Sequence, residues 1–380
     1  MPYLKAVGGF LCFLVLASNV WSMSRWSEAR GVYDDVCYLR QAHLFQKFGA
    51  RGLDTDIARD DDRYLSAKLK EIGYAAWEDR TSAPCHVPMP SKKVVIQYPP
   101  GTGFVLALFP EGFQVIPLYV SATAIVFGFA LLAIFYARAT SSLLLTTGFG
   151  CLAIYLMVNP TKASYSVAPT MVACALAGFL TAKLLFSEQR RHRLALVAAI
   201  GLVLGLAVNF RLPNLFLASG YLVFLLVSFL LVRKFETFLQ GALFGLAFVA
   251  GMAPTLLANA INAGSPFATT YGSVDATPPD LSLSVIWSYA ADMQFVLLVL
   301  AGVWTALMLR WHRGNAMRQV ALLVAANLVV NLAFFLSHPL FTPYYTIPIA
   351  MLSLWSLLFA SLMQPAEIVD DRLVGQAARA

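Results

Sequence analysis

Ten apolar runs of 16 to 27 residues follow one another along this chain, almost free of charge, and they leave little room for any architecture but a membrane bundle. A run of about 20 such residues crosses the hydrocarbon core of a bilayer as a helix. The runs are Ala6 to Trp21, Ile116 to Tyr136, Leu143 to Val158, Val167 to Leu185, Leu194 to Phe210, Leu215 to Val232, Phe238 to Ala260, Leu283 to Leu309, Val320 to Leu336 and Tyr345 to Leu362. The third is short for a span. Only 12% of residues are charged, against about 25% in soluble domains, so a water-exposed surface cannot be assembled. The expected fold class is an all-α integral membrane bundle of about ten transmembrane helices. Soluble, disordered and nucleic-acid-binding classes are excluded.

The few charges are placed unevenly. Twelve cations and eleven anions, 23 of the chain's 47 charges, fall between Ser24 and Pro100. That stretch reads as one large hydrophilic loop. The organisation expected is a first transmembrane helix over 1-23, a loop with interfacial helices over 24-103, a multi-span bundle over 104-362 and a tail over 363-380. With the N-terminus in the cytoplasm, Arg138, Lys183, Arg190, Arg191, Arg193, Arg233, Lys234, Arg310, Arg313 and Arg318 fall on the inner side, and only Lys162 and Arg211 lie in short outer loops. Ten against two satisfies the positive-inside rule, which counts short loops. Both termini are therefore expected in the cytoplasm and the long loop outside, in a bacterial inner membrane. The first apolar run, behind Lys5, reads as a retained span or as a cleaved signal peptide; cleavage leaves the remaining topology unchanged.

Of five cysteines, Cys37 and Cys85 lie in the outer loop and Cys12, Cys151 and Cys174 in spans. Cys37 and Cys85 read either as a disulfide of an oxidising compartment or as two buried thiols. The Cys and His spacing contains no zinc pattern, so no metal site is expected.

Ionisable groups are missing from the middle of every run, where ion-coupled carriers usually keep them. Polar residues gather instead at outer span ends: Asp34 and Asp35, Lys162 and Tyr165, Asn209, Arg211 and Asn214, Asn259 and Asn262, His338, Tyr344 and Tyr345. This pattern suits a reaction at the outer membrane face. Val36, Leu39, His43 and Leu44 recur at helical spacing, which predicts an amphipathic helix along the interface. Asp34 and Asp35 would occupy its first turn, where the helix dipole favours carboxylates whether or not they do chemistry. Beyond them, Gln97-Tyr98-Pro99-Pro100-Gly101-Thr102-Gly103 makes a rigid turn just before the chain re-enters the membrane. Asp60, Asp61 and Asp62, beside Arg59 and Arg63, read as a solvated, salt-bridged face.

Together these features resemble the GT-C superfamily of membrane glycosyltransferases: a first span, an outer Asp pair heading a helix, a long loop closed by Tyr-Pro-Pro-Gly, then a many-span bundle. Asn209-Phe210-Arg211-Leu212-Pro213-Asn214 at an outer span end and Gly264-Ser265-Pro266-Phe267 with Tyr271-Gly272 are also similar to that superfamily. The likeness covers most of the chain as layout, but its motifs total only some two dozen residues. It implies a polytopic helical fold that uses polyprenyl-phosphate-linked sugars on the extracytoplasmic face. It further implies that Asp34 or Asp35 is the acidic residue of the first outer loop and that a cation such as Arg211 meets the lipid phosphate. One departure is the short stretch after the last run, so acceptor recognition falls to the outer loops or to a partner protein.

Such chemistry needs a base for the acceptor hydroxyl and cations for charge developing on the departing phosphate. Asp34 and Asp35 are the catalytic candidates, Arg211 and Lys162 the phosphate contacts, and Tyr98, Asn209, Asn214, His338, Tyr344 and Tyr345 the candidate substrate lining. A bare lipid phosphate donor does not demand a divalent metal, so no cofactor is expected. The partners expected are the lipid-linked sugar, a glycan, lipid or protein acceptor, and membrane lipids. Two other readings fit the same layout: a flippase for a lipid-linked saccharide, and a non-catalytic subunit of an envelope-assembly complex.

Overall fold

A computed structural model describes residues 1–28, 33–79, 83–159, 164–271, 279–292, 294–311, 315–338 and 343–364. The chain is almost entirely helical: α1 (Pro2–Met23), α2 (Tyr33–Phe48), α3 (Tyr64–Glu71), then strands β1 (His86–Pro88) and β2 (Val94–Ile96). After these come α4 (Gly101–Leu106), α5 (Val115–Tyr136), α6 (Thr140–Leu156), α7 (Val167–Phe186), α8 (Arg190–Val208), α9 (Ser219–Val232) and α10 (Phe235–Gly251). The chain ends with α11 (Ala253–Ala263), α12 (Leu283–Ala290), α13 (Phe295–Trp311), α14 (Asn315–Phe335) and α15 (Ile347–Leu362). The strands form a two-stranded antiparallel ribbon with Val87 opposite Val95.

Among the described residues, six segments are long and apolar enough to cross a membrane, and eight if two bent pairs each count once. Two further apolar helices, Thr140–Leu156 and Ile347–Leu362, are shorter. This is an all-α, multi-pass membrane protein. The bent pairs modify the sequence reading of straight spans. Run 238–260 breaks by 51° between α10 and α11, where Pro254 at the start of α11 cannot donate to the preceding turn. Run 283–309 turns by 89° between α12 and α13, so its first third is no continuation of the α13 axis.

Helix faces separate by environment. Phe135, Leu144, Leu231 and Leu246 are each at least 70% exposed, which suits lipid and not water. By contrast α15 is buried on every side from Ile347 to Ala360, as expected of an all-apolar helix at the centre of a bundle. It packs against α7, α13 and α14. A Cβ at Gly178 of α7 would lie 2.6 Å from Trp355 Cβ, so these axes approach because glycine leaves the space.

The segment between α1 and α5 folds as a cap over one end of the bundle. Val36, Leu65, Leu69 and Ala83 give it a small core of its own, and a Cys37–Cys85 disulfide ties α2 to the stretch before β1. Closing a loop of that length stabilises the cap by on the order of 4 kcal/mol in the chain-entropy description. Side chains from the bundle hold the cap down: Asn262 Oδ1 accepts from the Thr55 amide at 3.0 Å and Thr270 Oγ1 donates to the Gln97 carbonyl at 2.9 Å. The α2 helix differs from the surface-lying amphipath expected of it. Asp35 through Ala42 are buried without a break, because α2 is sandwiched among α3, α4 and the 3-10 turn Gly49–Leu53. The acidic run also differs in detail: Asp61 and Asp62 pair with Lys47 at 2.5 and 2.7 Å, and Asp60 turns inward, its Oδ1 accepting from the Leu65 amide at 3.0 Å.

Candidate active site

The first turn of α2 sets the site. Asp34 and Tyr38 are four residues apart, which places them one above the other on one helix face. Tyr98 reaches this face from the Tyr-Pro-Pro-Gly turn: its hydroxyl donates to Asp34 Oδ1 at 2.6 Å, and its ring stacks on Tyr38 with centroids 4.9 Å apart. Tyr271 meets Tyr98 at 6.3 Å, edge to face. Ser164 and Ser166, just before α7, lie against the Tyr38 phenol and bond to each other at 2.8 Å. Arg211, only 5% exposed, stands over the Tyr345 ring with its Cζ 4.3 Å from the centroid.

One backbone and one side-chain hydrogen bond hold these motifs together. The Gly101 amide donates to the Asn209 carbonyl at 2.7 Å, and Thr102 Oγ1 donates to the Phe210 carbonyl at 3.3 Å. A Cβ on Gly101 would meet that Asn209 carbonyl at 2.7 Å, and one on Gly103 would meet the Gln41 side chain at 2.5 Å. The glycines of the turn are therefore what allow segment 97–103 to seat between α2 and the end of α8.

Electrostatically the site pairs one carboxylate and one guanidinium with neutral phenols. Burial, then the charge of Asp34, pushes the Tyr98 phenol far above its ordinary range. Burial and Asp34 do the same to Tyr38, against the opposing pull of Ser166, Arg211 and Ser164. Tyr271 is raised by burial, Tyr38, Tyr345 and Asp34, with Arg211 opposing. All three phenols thus stay protonated as hydrogen-bond donors, and Asp34 and Arg211 supply the opposite charges felt at the same tyrosines. Such a cluster can take a proton at the carboxylate and hold an anion at the guanidinium.

The remaining candidates separate clearly. Asp35 is completely buried, whereas Asp34 is half-buried and joins the tyrosines. Asn209 serves as a brace instead of a lining residue: its Nδ2 donates to the Gly251 carbonyl at 2.8 Å, and its Oδ1 accepts from the Thr255 amide and hydroxyl at 2.9 and 2.7 Å. It fastens the end of α8 to the break between α10 and α11. Asn214 also braces, donating to Thr170 Oγ1 at 2.8 Å and to the Ala207 carbonyl at 2.7 Å. His338 stacks on Phe334 at 4.2 Å, and its Nδ1 bonds the Phe334 carbonyl at 2.7 Å. Tyr344 belongs to the 3-10 turn Pro343–Thr346, and its side chain, like all of Lys162, lies outside the described residues.

Sequence reasoning did not single out Tyr38, Tyr271, Ser164 or Ser166 as site residues. The spacing of Asp34 and Tyr38 was visible in the chain; the approach of Tyr271 across more than 170 residues was not. Cys37, Cys85 and His86 bring potential ligand atoms within 4.8 Å of one another. Both sulfurs are spent in the disulfide, and the His86 ring is occupied: Arg40 Nη1 donates to Nε2 at 2.9 Å and Nδ1 donates to the Pro84 carbonyl at 2.8 Å. No protein-family model, curated protein or solved structure matches the chain.

Proposed function

We propose that the protein is an inverting glycosyltransferase of the GT-C type, moving a sugar from a polyprenyl-phosphate carrier to an envelope acceptor on the extracytoplasmic face of a bacterial inner membrane. In this reading the two bent helix pairs and the two short apolar helices complete ten spans, and both termini are cytoplasmic. Asp34 takes the proton of the acceptor hydroxyl as that oxygen bonds to the anomeric carbon. The bond from carbon to phosphate oxygen breaks, and the lipid phosphate leaves with its charge against Arg211. Tyr98 holds Asp34 in place, and the tyrosine walls exclude water and supply neutral donors to the sugar and phosphate. Asp35, wholly buried, is given a structural part. No divalent metal is assigned to the reaction.

The observation that supports this reading is the convergence of an acid from α2, a cation from the end of α8 and tyrosines from three further segments into one side-chain cluster at the capped end of the bundle. Membranes containing the protein should convert polyprenyl-phosphate-linked sugars to polyprenyl phosphate when acceptor is present, with turnover unchanged by chelator. Asp34→Asn should lower that rate by on the order of 10²- to 10⁴-fold. Full turnover in both Asp34→Asn and Arg211→Ala would overturn the proposal.

A further inference from the structure

The end of the bundle opposite Asp34 contains a second feature that the transfer reaction does not use. Helix α7 starts beside Ser166 and Tyr38, and its other end lies about 30 Å away, at 1.5 Å per residue. There Leu185, Arg193 in the first turn of α8, Phe224, Lys234, Gln240 and Gln319 surround a cavity of about 290 Å³. That volume sits near the lower end of ligand pockets, roughly 300 to 1,000 Å³. A narrow apolar cleft of about 20 Å³ leads inward from it, past Val197, Ile200 and Phe244.

The lining is chemically specific. Arg193 Nε is buried with no hydrogen-bond partner among the described residues. Gln240, 7% exposed, presents a carboxamide to both the cavity and the cleft. Lys234 adds a second cation and Glu236 a carboxylate; the Glu236 Oε2 lies 4.0 Å from Arg190 Nε. Among the described residues the lining therefore carries one net positive charge. The inner cleft holds about one water's worth of space, too little for an acyl chain. Apolar surface is found outside instead: Val232, which lines the cavity, is 49% exposed, and Leu231 beside it is 80% exposed.

We propose that this cavity binds the phosphodiester headgroup of a monoanionic phospholipid, with the acyl chains lying along the exposed face of α9. Arg193 and Lys234 meet the phosphate, Gln240 donates to it or to the glycerol, and Glu236 tempers the site's charge so that it holds a single anion. The site lies at the end of the bundle that the cation distribution assigns to the cytoplasm, and its existence does not rest on the sugar-transfer reading.

The test is native mass spectrometry of the full chain released from nanodiscs of phosphatidylglycerol or phosphatidylcholine. The wild type should retain one phosphatidylglycerol in preference to phosphatidylcholine, and millimolar inorganic phosphate should leave it bound. Removing one cation in Arg193→Gln or Lys234→Gln should weaken retention about fivefold, and both together about thirtyfold. Glu236→Gln should strengthen it by a similar single step, a gain that misfolding cannot produce. Asp34→Asn should leave it unchanged. Equal retention by the double variant would overturn the proposal, as would loss in Asp34→Asn, which would move the lipid to the other end. Displacement by inorganic phosphate that itself remains bound would assign the cavity to a soluble phosphate anion and overturn the lipid.

Discussion

Tyr98 joins the cap to the site through one hydroxyl, so its removal separates orientation from chemistry. Tyr98→Phe keeps the ring stacked on Tyr38 and deletes only the bond to Asp34. Turnover should fall about tenfold, the kinetic equivalent of one hydrogen bond, with thermal stability nearly unchanged; an unaltered rate in membranes of equal protein content would remove Tyr98 from the mechanism. A second residue-scale expectation concerns pH. Burial, then the Arg40 charge, lowers the His86 pKa from an ordinary 6.5 to about 3. Between those values the unfolded chain binds a proton that the folded chain refuses, so stability is full above about pH 6.5 and falls as pH drops toward about 3, with a slope approaching about 1.4 kcal/mol per pH unit. Melting temperatures of wild type and His86→Asn across that window should diverge, the wild type carrying the steeper acid loss. Parallel curves would show that His86 titrates alike in both states. At this scale the acidic end of the site was legible, because Asp34 and Tyr38 share a helix face by spacing alone. Asn209 and Asn214 were legible as polar residues at a span end but not as braces, because their partners, Thr255 and Thr170, come from other helices.

Between elements, the tightest glycine contact among the described residues joins α8 and α10. Gly201 and Gly205 form a small-residue stripe, and a Cβ on Gly205 would lie 2.1 Å from the Phe248 carbonyl oxygen, a backbone atom that cannot swing aside. Gly205→Ala should separate the two helices and lower stability by roughly 1 to 3 kcal/mol. Gly241→Ala, on α10 with nothing within 4 Å of its Cβ, should be neutral or mildly stabilising, since alanine is the better helix former. Thermal unfolding in detergent distinguishes the two; equal losses would deny that this contact holds the pair. The existence of these helices was readable from apolar runs, and the four-residue spacing of Gly201 and Gly205 was available too. What escaped was the burial of α2, whose mixed composition resembles a surface helix until the cap that covers it has folded. The bend at Pro254 was foreshadowed by its residue, and the 89° turn before α13 by the polar residues Asp292 and Gln294 that interrupt the run from Leu283 to Leu309.

The molecule as a whole is a lipid-embedded bundle with a cross-linked cap at one end and a cation-rich cavity at the other. Its orientation can be tested without reference to chemistry. In a chain stripped of Cys12, Cys151 and Cys174, a cysteine at Ser265 (Ser265→Cys) should react with an impermeant maleimide in intact cells, and one at Glu188 (Glu188→Cys) only after permeabilisation; the reverse pattern would invert the topology. The polarity expected from ten against two among loop cations depends on counting and not on contacts, so this labelling is its direct check. The catalytic assignment is of another kind, resting on side chains that meet only in three dimensions. Mass spectrometry of envelope glycans from a strain lacking the protein, complemented at equal membrane abundance with wild type, Asp34→Asn or Asp35→Asn, tests it most directly. The account predicts that one sugar is lost with the protein and restored by wild type but not by Asp34→Asn, while Asp35→Asn restores it in proportion to the folded protein it yields. Full restoration by Asp34→Asn would contradict the account.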